Sequence, residues 1–103
     1  MPVIYHITTK NDWEAAQERG SYIAPSLATE GFIHCSEEQQ VKGVLERYYK
    51  GKTDLVKLVI DTSELQPQLK YELAPSVNQN FPHIYGPINL DAIVATEIIE
   101  NQS

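Results

Sequence analysis

The chain has 103 residues and 11.6 kDa, with 42% hydrophobic and 21% charged residues, the bulk of a single domain (1–103) with one core. Fourteen acidic against eight basic residues leave a net charge of −6, which works against general nucleic-acid binding but not against one nucleotide in a local pocket. The lone cysteine, Cys35, excludes an internal disulfide framework, Met1 to Thr9 lacks the marks of a signal peptide, and no stretch approaches the ~20 apolar residues of a membrane span, so a cytoplasmic protein is expected.

Val3 to Ile7 reads as a short strand, with Val3, Tyr5 and Ile7 on the expected core face and Ile4 and His6 on the other. Thr9-Lys10-Asn11-Asp12 has the form of a helix start and Gly20 of a stop. Trp13, Ala16 and Gln17 share a face of that helix, with Trp13 as core anchor. Gly20 to Ser26 is expected to be irregular or weakly extended, since Pro25 limits helix there.

Phe32 to His34 forms a second short strand. Ser36-Glu37-Glu38-Gln39 is a capping box, and Val41, Val44, Leu45 and Tyr48 follow the spacing of a buried helix face, closed by Lys50-Gly51-Lys52. Leu55 to Ile60 is β-branched and apolar, which suits a central strand. Asp61 to Gln68 is a turn containing Pro67. Leu69 to Leu73 alternates, setting Leu69, Tyr71 and Leu73 opposite Lys70 and Glu72. Asn78 to Pro87 reads as an aromatic loop, Ala92 to Ile99 as a closing strand, and Asn101 to Ser103 as a fraying end. The order implies an α+β domain, two helices packed on a mainly antiparallel sheet.

The three histidines sit in apolar or aromatic phrases: Ile4-Tyr5-His6-Ile7, Gly31-Phe32-Ile33-His34-Cys35-Ser36 and Phe81-Pro82-His83-Ile84-Tyr85-Gly86-Pro87. Imidazoles so placed can donate, accept or carry a proton near neutral pH. His6 either bonds a backbone carbonyl or lines a cleft and holds a ligand hydroxyl. Ser36 opens a helix whose free N–H groups favour anions. Cys35 is adjacent to His34 on a strand, so the two point apart and a small buried hydrophobe is expected rather than a nucleophile. In the proline-bounded phrase, His83 could donate and Tyr85 could stack on a ligand, or the segment simply covers a sheet edge. Long histidine spacings give little support to a metal site, and no G-x-S-x-G phrase occurs.

These phrases, with Trp13-Glu14-Ala15-Ala16, Gly20-Ser21-Tyr22, Ser26-Leu27 and Tyr71-Glu72, resemble the bacterial family catalogued as domain of unknown function 952 over nearly the whole chain. That family resembles, in fold, the ADP-ribosyltransferases and tRNA 2′-phosphotransferases. The resemblance implies an ADP-ribosylation-like fold, with two small mainly antiparallel sheets around a cleft and NAD, or a nucleotide-derived group, as ligand. It implies catalytic roles for His6, His34 and His83, with Glu72 a carboxylate candidate by residue type. It implies ligand contacts from His6, Thr8, Tyr22, Ser26, His34, Ser36, His83 and Tyr85, with Tyr22 or Tyr85 stacking the nicotinamide and Ser36 meeting the pyrophosphate. The alternative is a noncatalytic nucleotide or small-ligand binding module with the same fold.

Overall fold

A computed structural model describes residues 2–99, so the expected fraying of Asn101 to Ser103 lies outside the described residues. In chain order the elements are β1 (Val3–Thr9), α1 (Lys10–Arg19), β2 (Ser21–Tyr22), α2 (Pro25–Glu30), β3 (Ile33–His34), α3 (Glu38–Tyr48), β4 (Leu55–Asp61), β5 (Gln68–Ala74), β6 (Gln79–Tyr85), β7 (Ile88–Asn89) and β8 (Ile93–Ile99). Single 3-10 turns follow β4 and β7. The strands form two three-stranded antiparallel sheets, ordered β1-β4-β8 and β3-β6-β5, and a small β2-β7 ladder. The architecture is α+β. No helix among the described residues is long and apolar enough to cross a membrane.

The core joins the inner faces of both larger sheets: Ile4, Leu58 and Ile60 from one meet Ile33 and Ile84 from the other, with Ala16, Tyr22 and Ile88 between. Each isoleucine removed from water stabilises the fold by about 1.5–3 kcal/mol. Trp13 packs against this cluster from α1 but is only partly buried, and Gln17 is exposed; Ala16 is the buried residue of that helix.

Several expectations are corrected. The core face of β1 carries Ile4, His6 and Thr8, whereas Tyr5 is half-buried beneath the Lys57 ammonium, 4.9 Å from its ring centre. Pro25 does not block a helix but opens one, because the first helical position needs no N–H donor. The box that starts α3 is Glu37 with Gln40, one residue later than expected, because the Ser36 backbone is already paired with Tyr5. No residue of α3 is fully buried, and Tyr48 is 59% exposed.

The segment expected to be a loop, Asn78 to Pro87, is largely β6, the middle strand of its sheet. Pro82 lacks a donor, but it sits where the β3 ladder ends at His34, and its carbonyl still accepts from Cys35 N–H at 2.9 Å. Phe81 to Ile84 are consecutively buried, as a strand covered on both faces requires.

Candidate functional site

One isolated bridge ties the two larger sheets: Tyr5 and Ser36 exchange both backbone hydrogen bonds, at 2.8 and 2.7 Å. Past this bridge the ladder stops, and the gap is a cavity of about 540 Å³ lined by His6, His34 and His83 together with Ser36. Helix α3 closes the other side with Val44 and Tyr48, and the next residue, Tyr49, donates to the Ile7 carbonyl at 3.2 Å. The opposite end of α3 is fixed by Gln40 Nε2, which donates to the Asn80 carbonyl at 2.8 Å. Val44 and Tyr48 of its apolar stripe therefore face the cavity instead of the core.

His34 and His83 lie directly opposite each other in the β3–β6 ladder, so both rings leave the same face. Their centroids are 5.2 Å apart with the rings nearly perpendicular. Phe32 stacks on His83 at 4.1 Å and presents an edge contact to His34 at 4.8 Å. His34 Nε2 meets Glu30 Oε2 at 3.0 Å, one helical turn back in sequence.

His83 is held from behind. Its Nδ1–H donates to Glu72 Oε1 at 2.8 Å, and the Tyr85 hydroxyl donates to the same oxygen. Because the carboxylate can only accept, the neutral ring carries its proton on Nδ1. No described residue bonds Nε2, which is left as an acceptor toward the cavity that the ring lines. The Tyr85 and His83 hydrogen bonds hold the Glu72 carboxyl below its usual range, and the same bond to Glu72 raises the Tyr85 hydroxyl. Lys70 adds its ammonium 5.1 Å from the Tyr85 ring centre.

His6 is arranged differently. Its Nδ1–H donates to the His34 carbonyl at 2.5 Å, while Nε2 lies 2.8 Å from the Tyr22 hydroxyl. Burial lowers its pKa from 6.5 to about 4, against the opposing pull of the carbonyl bond, so the ring is neutral at pH 7. A neutral ring protonated on Nδ1 must accept at Nε2, so the Tyr22 O–H donates there. The Thr8 hydroxyl, 2.9 Å from Tyr22 Oη, then donates to Tyr22. The resulting chain runs Thr8, Tyr22, His6, His34 carbonyl.

The candidates thus separate into three groups. His6, His34, His83 and Ser36 line the large cavity, while Thr8, Tyr22 and Ser26 line a smaller hollow of about 230 Å³ that shares His6, Ile7 and Tyr49 with it. Glu72 and Tyr85 line neither and stand behind His83.

Several side chains are placed otherwise than their expected roles require. Tyr22 is 1% exposed and has no open face on which to stack a ring. Both ring nitrogens of His6 are already bonded. Ser26 Oγ donates to the Phe32 carbonyl at 2.8 Å, tying α2 to β3. The Ser36 N–H donates to Tyr5 and is not offered to an anion. Cys35, by contrast, is buried as expected of a small hydrophobe, and burial pushes its thiol far above its ordinary pKa, which leaves it a poor nucleophile. Phe32, Tyr49 and Asp12, the last lining the smaller hollow, were not singled out from sequence as site residues. Phe32 stood in the quoted phrase beside His34 and was the accessible signal.

No lysine or arginine among the described residues lines either hollow. Among the described residues, no group of three His, Cys, Asp or Glu side chains is placed to hold a metal ion.

Three solved chains of one protein resemble this one. The crystal structure of protein CC0527 from Caulobacter crescentus superposes with a TM-score of 0.87 at 26% identity, covering 96% of this chain and 87% of that one. The crystal structure of its double mutant gives 0.87 at 25% identity, with the same coverage. The solution NMR structure of CC0527 gives 0.82 at 27% identity, covering 97% and 86%. No curated protein matches. The family described as "Protein of unknown function (DUF952)" matches residues 7–96. A match over that span shows the family, and the chain belongs to DUF952.

Proposed function

We propose that the large cavity binds a small, ring-bearing, nucleoside-sized ligand and that His83 exchanges a proton with it. The observation that supports this reading is the pairing of His34 with His83 on one sheet face beside a cavity of about 540 Å³, a volume typical of small-molecule sites. Glu72 orients the His83 ring and fixes its tautomer, so Nε2 takes a proton from a ligand O–H or N–H, and Glu72 balances the charge that forms. Phe32, Phe81 and Tyr48 supply the apolar lining for a planar ring.

The finer reading, an ADP-ribosylation-like fold acting on NAD, draws support from the sequence resemblance and from two small sheets flanking a cleft. The lining suits one nucleoside half of NAD. It does not suit the diphosphate, since no lysine or arginine lines either hollow and the Ser36 N–H is bonded to Tyr5. The residues present do not fit the whole dinucleotide.

Calorimetric titration with nicotinamide riboside, adenosine and NAD, alongside an assay for nicotinamide release, tests the proposal. Saturable binding of a nucleoside, lost in His83→Ala, is the expected result. No heat from either nucleoside at millimolar concentration would overturn it. Binding of NAD with nicotinamide release would establish an NAD-cleaving enzyme, with the ADP-ribosyl group passing to water or another acceptor, whereas nucleoside binding without turnover would establish a binding module.

A further inference from the structure

The polarity of the smaller hollow follows from the hydrogen bonds around it. The Tyr22 O–H donates to His6 Nε2 and the Thr8 hydroxyl donates to Tyr22. Ser26 donates to the Phe32 carbonyl at 2.8 Å, and Tyr49 donates to the Ile7 carbonyl at 3.2 Å. Four of the hydroxyl groups around this space have therefore turned their protons into the protein, and the His6 N–H has done the same toward His34. Thr8 and Ser26 are thereby left with oxygen lone pairs, not O–H donors, to offer a ligand. Thr9 Oγ1, also on its wall, already accepts from the Asp12 N–H at 3.1 Å.

Asp12 adds a full negative charge to the same wall, and no cation among the described residues is ion-paired with it. It stands in the first turn of α1, one residue before Trp13. His6, neutral at pH 7, contributes no opposing positive charge. A carboxylate and a few acceptor oxygens on an otherwise apolar wall, with Ile7, Ala24 and Pro25, are matched by a group that donates and carries positive charge.

We infer that the smaller hollow is an amine subsite, taking the primary ammonium group of a ligand whose ring lies in the larger cavity, with Asp12 as the counter-charge. The two spaces adjoin at His6, Ile7 and Tyr49, which line both. The inference rests on the reading of the larger cavity as a ligand site, and it narrows the ligand to a ring-bearing amine.

Three probes with the same ring separate the two ideas: 4-ethylphenol, which is neutral, tyramine, which adds the ammonium, and 3-(4-hydroxyphenyl)propionate, which adds a carboxylate. Calorimetry on the wild-type chain at low salt should show tyramine binding about tenfold or more tighter than 4-ethylphenol, as a charged hydrogen bond provides, and the propionate weakest. In Asp12→Asn the tyramine advantage should vanish while 4-ethylphenol binds as before. Equal binding of tyramine and 4-ethylphenol to the wild type would overturn the amine subsite and leave the larger cavity's role standing. An advantage that survives Asp12→Asn would overturn it too. Failure of all three at millimolar concentration while nicotinamide riboside still binds would overturn the amine subsite alone; failure of the riboside as well would remove the larger cavity's role.

Discussion

Glu72 grips His83 from the adjacent strand, accepting its Nδ1–H at 2.8 Å while the ring presents Nε2 to the cavity. The two residues are not directly paired across the ladder: Glu72 lies opposite Phe81 and His83 opposite Lys70, so the contact is diagonal. This relationship predicts a tautomer. In the wild type, neutral His83 is protonated on Nδ1, and 15N chemical shifts of the ring should show it. In Glu72→Ala the population should move toward the Nε2–H form; an unchanged ratio would contradict the positioning role.

The same carboxylate predicts a pH response. Its folded-state pKa is depressed, by the Tyr85 bond first and the His83 bond second, so its contribution is present above the ordinary value of 4.5. That contribution is lost as pH falls through the folded-state value. Wild type and Glu72→Gln should therefore lose their stability difference progressively below pH 4.5 in urea titrations.

His6 acts in a higher window. The unfolded ring binds a proton near 6.5 and the folded ring only near 4, so the unfolded state gains protons first as pH falls. Stability from the neutral buried ring is complete above 6.5 and is lost between there and 4. The span is on the order of 3 kcal/mol. His6→Asn, which keeps a donor for the His34 carbonyl, should be less stable at pH 7 but flatter across that interval. Denaturation midpoints at several pH values measure both.

Removing one proton from the buried chain should be costly on its own. Tyr22→Phe takes the donor from His6 Nε2 and the acceptor from Thr8, in a site that is 1% exposed. A loss of about 1–3 kcal/mol is expected from two unsatisfied buried groups, measured by urea unfolding at pH 7. Gly86→Ala should cost a similar amount, about 1–3 kcal/mol for overpacking, because the new Cβ would stand 2.9 Å from the Pro67 ring.

Much of this was legible in the sequence, and the failures have physical causes. Strand β4, and β5 to within one residue at each end, followed from β-branched and alternating residues, which report directly on a pleated environment. The convergence of three histidine phrases on one cavity matched their apolar settings. The β1 core face was misassigned because its buried side carries His6 and Thr8, whose polarity is cancelled by Tyr22 and a carbonyl from elsewhere in the chain. Strand β6 was hidden by Pro82, whose missing donor matters only if the neighbouring strand continues. The stripe on α3 was visible, but a helix over a cavity carries the same pattern as one over a core. Asp12 gave no signal because a carboxylate in a first turn is explained by helix electrostatics alone.

The most direct measurement follows the imidazole Cε1–Hε1 resonances of all three histidines during titration with nicotinamide riboside. The account predicts that His34 and His83 shift together, saturably and with one dissociation constant, and that both responses disappear in a Phe32→Ala variant that remains folded. Independent shifts at the two rings, or none at millimolar ligand, would contradict a shared ligand cavity.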